Sequence, residues 1–443
     1  MKKIILLGAG LSTSTLIRYL LKTCKEQQWE LVVGDIDVQE AEKKIAGHEA
    51  GIACQFDLSN QSQTEQLINQ ANLVISMLPA SYHPQVAKMC GEIGKHLLTA
   101  SYATDEMMAY DQLFKDKGLI LLTEMGLDPG IDHMSAMKVI NQIREQGGVL
   151  KDFETFTGGL LAPSNDDNPW RYKFTWSPRN VVLAGQGVIK FLHNGRYKYI
   201  PYNKLFRRTE IVHIPGYDYF EGYANRDSLK YLDIYGLKGI QTLYRGTFRR
   251  PGFCKAWDVF VKLGATDDSY QMENVSDMTH RQFINSFLYY NPHDSVELKI
   301  AHYLNLDMES EEMYKLKWLG IFEDEPVGLE SGTPAQILEN ILRKKWTMDP
   351  QEKDMIVMWH KFEYEMEGKM HQIQSHMVVI GEGAQNTAMA KTVGLPLGIA
   401  AKLLLTDKIN LKGLQIPIQK EIYQPVLRVL EKEGIIFEES VIN

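Results

Sequence analysis

Gly8-Ala9-Gly10-Leu11-Ser12-Thr13 follows the apolar run Lys3 to Leu7 and precedes Leu16, Ile17, Leu20, Leu21 and Cys24 at helical spacing. Strand, glycine turn and helix in that order suit a dinucleotide pyrophosphate. Gly8 permits the tight turn and Gly10 lets the backbone approach the phosphates. The free N–H groups and dipole of the helix N-terminus attract the anion. Leu11, Ser12 and Thr13 complete the candidate loop. The third glycine of the usual fingerprint is Thr13 here, at a position that packs helix closely against strand. Asp35 ends the second apolar run, Leu31 to Val33, where a carboxylate accepts hydrogen bonds from the adenosine ribose and repels a 2′-phosphate. Ile36 follows it and offers no cation. The expected cofactor is therefore NAD, with NADP as the alternative. Asp57 and Leu58 follow the third strand and are placed beside the adenine. Ser76 and Leu78 end the fourth, at the carboxyl edge of the sheet where ligands bind.

A second group of strings departs from packing periodicity. Ser101-Tyr102 follows the fifth strand, and Asp128-Pro129-Gly130-Ile131-Asp132-His133 follows the sixth. Further on come Thr157-Gly158-Gly159, Tyr172-Lys173-Phe174-Thr175-Trp176-Ser177, Asn225-Arg226-Asp227-Ser228 and Arg245-Gly246-Thr247-Phe248-Arg249.

The elements that must position these residues read as alternating strands and helices through the first third of the chain. Leu73 to Met77, Leu97 to Thr99 and Leu119 to Leu122 are further strands, and a helix begins near Pro84. Such alternation implies right-handed βαβ units and a parallel sheet covered on both faces. Asp132 is expected to cap a helix from about His133 to Gln146, ended by Gly147 and Gly148. Phe153 to Val261, rich in aromatic and β-branched residues, reads as a mixed or antiparallel sheet, and Thr279 to Lys361 reads as helical. Apolar helices at Met389 to Leu405 and Ile422 to Glu433 are expected to return and complete the first domain.

At 443 residues the chain exceeds what one core normally serves. Its 44% hydrophobic and 23% charged residues are ordinary for a globular protein, and a net charge of -8 argues against a nucleic-acid surface. Cys24, Cys54, Cys90 and Cys254 show no metal-ligand spacing, so no metal is expected and the thiols read as reduced and mostly buried, as in a cytoplasmic protein. No apolar run reads as long enough to span a bilayer, so no membrane partner is expected.

Taken together, the strings resemble the glutamate-forming saccharopine dehydrogenases, also called saccharopine reductases. The resemblance runs from the Gly8 loop to Thr392-Val393-Gly394-Leu395-Pro396 and Ile422-Tyr423-Gln424-Pro425, and is most specific at Gly126 to His133 and Tyr172 to Ser177. It implies an α/β fold: a Rossmann-type doubly wound parallel sheet, an inserted mixed α/β substrate and dimer domain, and an all-helical domain. The implied boundaries are 1–127 for the Rossmann domain, completed by about 385–443; 128–275 with 370–384 for the substrate domain; and 276–369 for the helical domain. It implies a homodimer and the small-molecule substrate saccharopine, oxidised with NAD(P) and water to 2-aminoadipate 6-semialdehyde and glutamate. Ser101, Tyr102, Asp128, Arg226, Thr247, Phe248 and Arg249 match positions lining the family's substrate site, and Leu127, Asp128 and Pro129 fall beside the dinucleotide. Fungal members carry Cys at the Thr157 position and Arg near Ile36, so their cofactor choice does not transfer.

The residue types suit that chemistry. Saccharopine has three carboxylates. Arg226 and Arg249 can clamp carboxylates with paired hydrogen bonds, and Lys173 adds a point charge. Asp128, Tyr102, Lys173 and His133 are the titrating groups for proton transfer, the first three being the catalytic candidates. None stands out as a base, and His133 equally suits a helix start. Two other readings remain open: a carboxynorspermidine dehydrogenase, also reducing an imine, and a non-catalytic NAD-binding regulator.

Overall fold

The computed structural model describes residues 1–442 as two compact units, Met1–Val149 with Met377–Glu438, and Leu150–His376 with the residues from Glu439 on.

The first unit is built on strands that are mostly buried apolar runs, β3 at the sheet edge being the exception: β1 (Lys3–Leu7), β2 (Glu30–Asp35), β3 (Gly51–Gln55), β4 (Leu73–Ser76), β5 (His96–Thr99) and β6 (Ile120–Leu122). With the short strand Gly413–Gln415 they form a seven-stranded sheet in the order 413–415, β6, β5, β4, β1, β2, β3. Every pairing is parallel. The strand order reverses between β1 and β4, and in such sheets ligands bind at the carboxyl ends beside the reversal. Both the glycine loop after β1 and Ser76 at the end of β4 lie there.

One sheet face is covered by helix Ser14–Gln27 packed on helix Ala388–Leu405. The latter is 18 residues long and apolar enough to cross a bilayer, which corrects the expectation that no such run exists; 83% of it is buried, as in a core helix. Close packing comes from this helix and not from the loop. A Cβ on Gly394 would lie 2.9 Å from both the backbone nitrogen and Cβ of Leu16, and one on Gly398 would lie 2.6 Å from the Tyr19 ring. This explains how the loop accepts buried Thr13 at its third position. Gly394→Val is expected to cost about 1–3 kcal/mol through overpacking. Urea denaturation checks it; an unchanged midpoint would mean that the two helices can separate freely.

Helix Ile131–Glu145 belongs to this unit, although the sequence reading begins the substrate domain at 128. It packs on helix Lys420–Lys432, with Asn141 Nδ2 donating to Tyr423 Oη at 3.0 Å. Its N-cap position is Gly130 and not Asp132; the Asp132 carboxylate, from the second helical residue, accepts from the Gly130 N–H at 2.6 Å.

The second unit centres on a nine-stranded mixed sheet. Its strands are β7 (Val149–Leu161), β8 (Ile189–His193), β9 (Arg196–Ile200), β10 (Thr209–Ile214), β11 (Asp218–Ala224), β12 (Thr242–Arg249), β13 (Asp354–Met366), β14 (Lys369–Ile380) and the C-terminal strand Glu438–Ile442. The main path is β10, β11, β12, β7, β13, β14 and the C-terminal strand, with β8 pairing β12 and β9. β13 falls where the sequence reads helix. Its first seven residues are all buried, and an apolar run covered on both faces shows neither periodicity. The reverse holds for Phe253–Leu263, a helix inside the stretch read as sheet; Phe253, Trp257 and Phe260 at helical spacing pack with Trp170. Helices His280–Asn285, Val296–Leu304, Glu311–Trp318 and Pro334–Trp346 make up the helical part.

Candidate active site

In the first unit, Gly8 has φ +99°, a left-handed value that favours glycine, and donates its N–H to Gly34 O at 2.8 Å. A Cβ on Gly10 would meet nothing within 4 Å, so the loop leaves open space on that side. That space belongs to a cleft of about 760 Å³ lined by Ala9, Gly10, Leu11, Ser14 and Asp35 among others, the size of an ordinary small-molecule site. The residues therefore fit a dinucleotide. Asp35 is fixed in place. One carboxylate oxygen accepts the Ala9 N–H at 2.5 Å, the other the Asp37 N–H at 3.0 Å. Lys44 donates to the carbonyls of Ala9 and Gly10 and, at 3.1 Å, to Thr13 Oγ1. Burial lowers its pKa, with Glu40 and Asp35 opposing the shift. Arg18, Lys22 and Lys43 also line the cleft, a cationic component that the sequence reading missed because it counted only the position after Asp35. Leu11 and Ile36 are exposed. Asp57 is exposed, but the Leu58 side chain turns into the sheet's core, which corrects the expectation that it flanks a ligand.

Past β5 and β6 the chain forms a second polar centre. Tyr102 Oη donates to Asp128 Oδ1 at 2.8 Å, which brings two of the three catalytic candidates together. Behind them lies Glu124, 2% exposed and in the left-handed region at φ +59°. Its carboxylate accepts from the Ala103 N–H at 3.0 Å and meets His133 Nε2 at 2.7 Å, while its own N–H donates to Ser101 O at 3.0 Å. Glu124 thus ties the segment carrying Ser101 and Tyr102 to the loop carrying Asp128. A buried carboxyl group on strained backbone is the kind of cost found at functional sites. The only sequence signal was an acid directly after an apolar strand. His133 is fully buried with Asp132 Oδ2 at 3.7 Å from Nδ1, so it is a member of this cluster and not merely a helix start. Leu127 and Pro129 are buried in the same loop. Ser76 and Ser101 both bond to His83, which sequence reasoning also overlooked.

In the second unit, Arg249 is 4% exposed. One terminal nitrogen donates to Phe248 O at 2.9 Å, Nε has no partner, and no carboxylate among the described residues lies within ion-pair distance. The guanidinium sits over the rings of Tyr172 (5.0 Å), Phe253 (5.2 Å) and Tyr223 (5.8 Å). Glu221 is its cross-strand neighbour, yet its carboxylate is engaged by the Gly252 and Cys254 N–H groups at 3.1 and 3.2 Å. Tyr172 Oη is also buried without a partner, and burial pushes its pKa up to about 12. Arg226 is exposed, on left-handed backbone at φ +53°. Thr247 is half-buried on β12, and Thr157 is buried on β7. The Phe248 ring stacks on Phe156 at 5.2 Å, so it is a core side chain with only its backbone near Arg249, a correction to its reading as a substrate contact. Lys173 is likewise corrected. Its ammonium meets both Glu352 oxygens at 2.6 and 2.7 Å, with Asp349 at 3.6 Å. That neutralises the point charge and makes Lys173 a tie between two loops.

All four cysteines are unpaired, three of them buried, and no cluster of metal-ligating residues occurs among the described residues.

Comparison with known proteins places the chain in a family. Residues 4–122 match the family profile described as the saccharopine dehydrogenase NADP binding domain, and residues 126–435 the saccharopine dehydrogenase C-terminal domain. The saccharopine dehydrogenase [NADP(+), L-glutamate-forming] of Schizosaccharomyces pombe is 32% identical, covering 100% of both chains. The mitochondrial alpha-aminoadipic semialdehyde synthase of Rattus norvegicus is 34% identical over 98% of this chain but 47% of its own length, so the chain spans about half of that relative. The solved apo saccharopine dehydrogenase (L-Glu forming) of Saccharomyces cerevisiae matches with TM-score 0.89 and 27% identity over 100% of both chains. From the glycine loop to the C-terminal helices, this chain belongs to the saccharopine dehydrogenase family.

Proposed function

We propose that the protein is a nicotinamide-dependent, glutamate-forming saccharopine dehydrogenase. The observation that carries this is Arg249: a buried guanidinium with no carboxylate of its own is costly unless a ligand supplies one. Saccharopine brings three. Arg249 holds one of them, with Arg226 as a second, more exposed cation.

When bound, the nicotinamide accepts the hydride from the lysine-derived carbon next to the secondary amine. The resulting substrate imine takes up water and expels glutamate, leaving the semialdehyde and releasing one proton. Asp128, with one oxygen held by the Tyr102 phenol, is the candidate proton acceptor. Glu124 keeps Tyr102 and Asp128 in register, so that positioning supplies much of the rate.

For the cofactor, Asp35 favours NAD, because a 2′-phosphate would stand against its fixed carboxylate. The second reading is NADP. The names of the fungal relatives and the cations Arg18, Lys22 and Lys43 in the same cleft favour it.

The test is nicotinamide reduction by purified protein given saccharopine, with each cofactor, and product analysis. Glutamate is expected in equal amount to the reduced cofactor. Lysine and 2-oxoglutarate as products would place the chain in the other saccharopine reaction. Turnover of carboxynorspermidine alone, or dinucleotide binding without turnover, would select one of the alternatives.

A further inference from the structure

We propose that His83 is a positioning residue that sets the hydroxyl of Ser101 for substrate and couples it to Ser76 at the dinucleotide edge of the sheet. The inference rests on the reading of Ser101 as a substrate contact. His83 opens the helix His83–Ile93 that follows β4, and it is 2% exposed. Its Nδ1 lies 3.0 Å from Ser76 Oγ, and its Nε2 lies 2.8 Å from Ser101 Oγ and 3.1 Å from Thr99 Oγ1. Thr99 Oγ1 also accepts the Ser101 N–H at 3.3 Å. One imidazole therefore joins the ends of β4 and β5 and the second residue beyond β5, along the carboxyl edge where ligands bind in such sheets.

Burial lowers the His83 pKa to about 4, so the ring is neutral at physiological pH. A neutral imidazole has one N–H and one acceptor nitrogen. If Nδ1 donates to Ser76, Nε2 accepts from Ser101 and leaves the Ser101 oxygen as an acceptor toward ligand. If Nε2 donates to Ser101, the Ser101 hydroxyl is free to donate, and Ser76 must donate to Nδ1. The tautomer of the ring thus biases the hydrogen-bond direction at both serines together, with Thr99 Oγ1 competing for Nε2. Ser76 and Ser101 lie 7 and 18 positions from His83 on opposite sides of it in sequence, and the ring bonds to both.

The test uses the full chain with substitutions at position 83 and at Ser101. His83→Asn keeps a polar atom near Nδ1 and removes the contact to Ser101, whereas His83→Gln reaches toward the Nε2 position. His83→Asn is expected to raise the saccharopine KM about tenfold, as loss of one oriented hydrogen bond does. His83→Gln should recover most of that. The dinucleotide Kd, read by fluorescence of the reduced cofactor without substrate, should stay within about twofold in His83→Asn, which keeps a polar atom toward Ser76. The pH profile should keep its limbs, because a neutral positioning ring contributes none. A KM unchanged in His83→Asn while Ser101→Ala raises it overturns the role of His83. An unchanged KM in Ser101→Ala overturns the reading of Ser101, and the inference with it. If both His83 variants lose kcat, KM and thermal stability in proportion, with no separate effect on KM, His83 is a core histidine and the proposal fails.

Discussion

Replacing Arg249 with methionine is expected to raise the KM for saccharopine by about 30-fold to 1000-fold, while the fold holds or becomes more stable. The first part follows from losing a charge-assisted carboxylate contact in a desolvated site, about 2–4 kcal/mol. The second follows from the surroundings. The guanidinium has no carboxylate to leave stranded, and its cage is Tyr172, Phe253 and Tyr223, which suit an apolar side chain of similar length. The 2.9 Å bond to Phe248 O and the cation–π contacts are given up, against the relief of burying an uncompensated charge. Thermal denaturation and steady-state kinetics on one preparation check both parts. Opposite signs are the signature of a cation kept for a ligand. A large loss of stability with an unchanged KM would make Arg249 a structural cation held by its ring stack, and the proposed function would lose its main support.

The second large effect concerns cofactor choice. Wild-type kcat/KM should favour NAD over NADP by roughly fivefold to a thousandfold, from about 1–4 kcal/mol of repulsion between two charges a few ångströms apart at surface-like dielectrics. Asp35 cannot swing aside cheaply, because both of its oxygens accept backbone N–H bonds. Asp35→Ser combined with Ile36→Arg should lower NAD use and raise NADP use together. Measuring kcat/KM with both cofactors for both proteins decides the matter. A wild-type preference for NADP would mean that Arg18, Lys22 and Lys43 outweigh Asp35 in the same cleft.

The parallel sheet was legible because most of its strands are short apolar runs beside a helix with a clear stripe; the three-residue strand Gly413–Gln415 is too short to show one. Gly8, Asp35 and Ser76 could be placed by position along those strands. β13 was not legible, because burial on both faces erases alternation. The helix Phe253–Leu263 was masked by its own aromatics, whose composition reads as strand though their spacing is helical. The site residues that escaped notice, Glu124 and His83, act through long-range partners: His133 nine positions away, Ser101 eighteen. Nothing local marks such contacts. Lys173 and Phe248 were overread for the complementary reason. Membership of a motif does not say which way a side chain faces, and Lys173 faces Glu352, 179 positions on.

The first sheet has a consequence for how the protein is made. β6 is flanked by Gly413–Gln415, and Thr123 donates to Gln415 O across 292 positions of sequence. The helix that seals Leu16, with Gly394 at the contact, also comes from that late segment. A ribosome adding about 5–20 residues each second needs roughly 15–60 s to go from the sixth strand to the seventh. Throughout that interval the nascent N-terminal sheet has an open edge and an uncovered apolar face. Folding of this sheet on the ribosome is then a matter of waiting until the segment from Ala388 to Gln415 arrives.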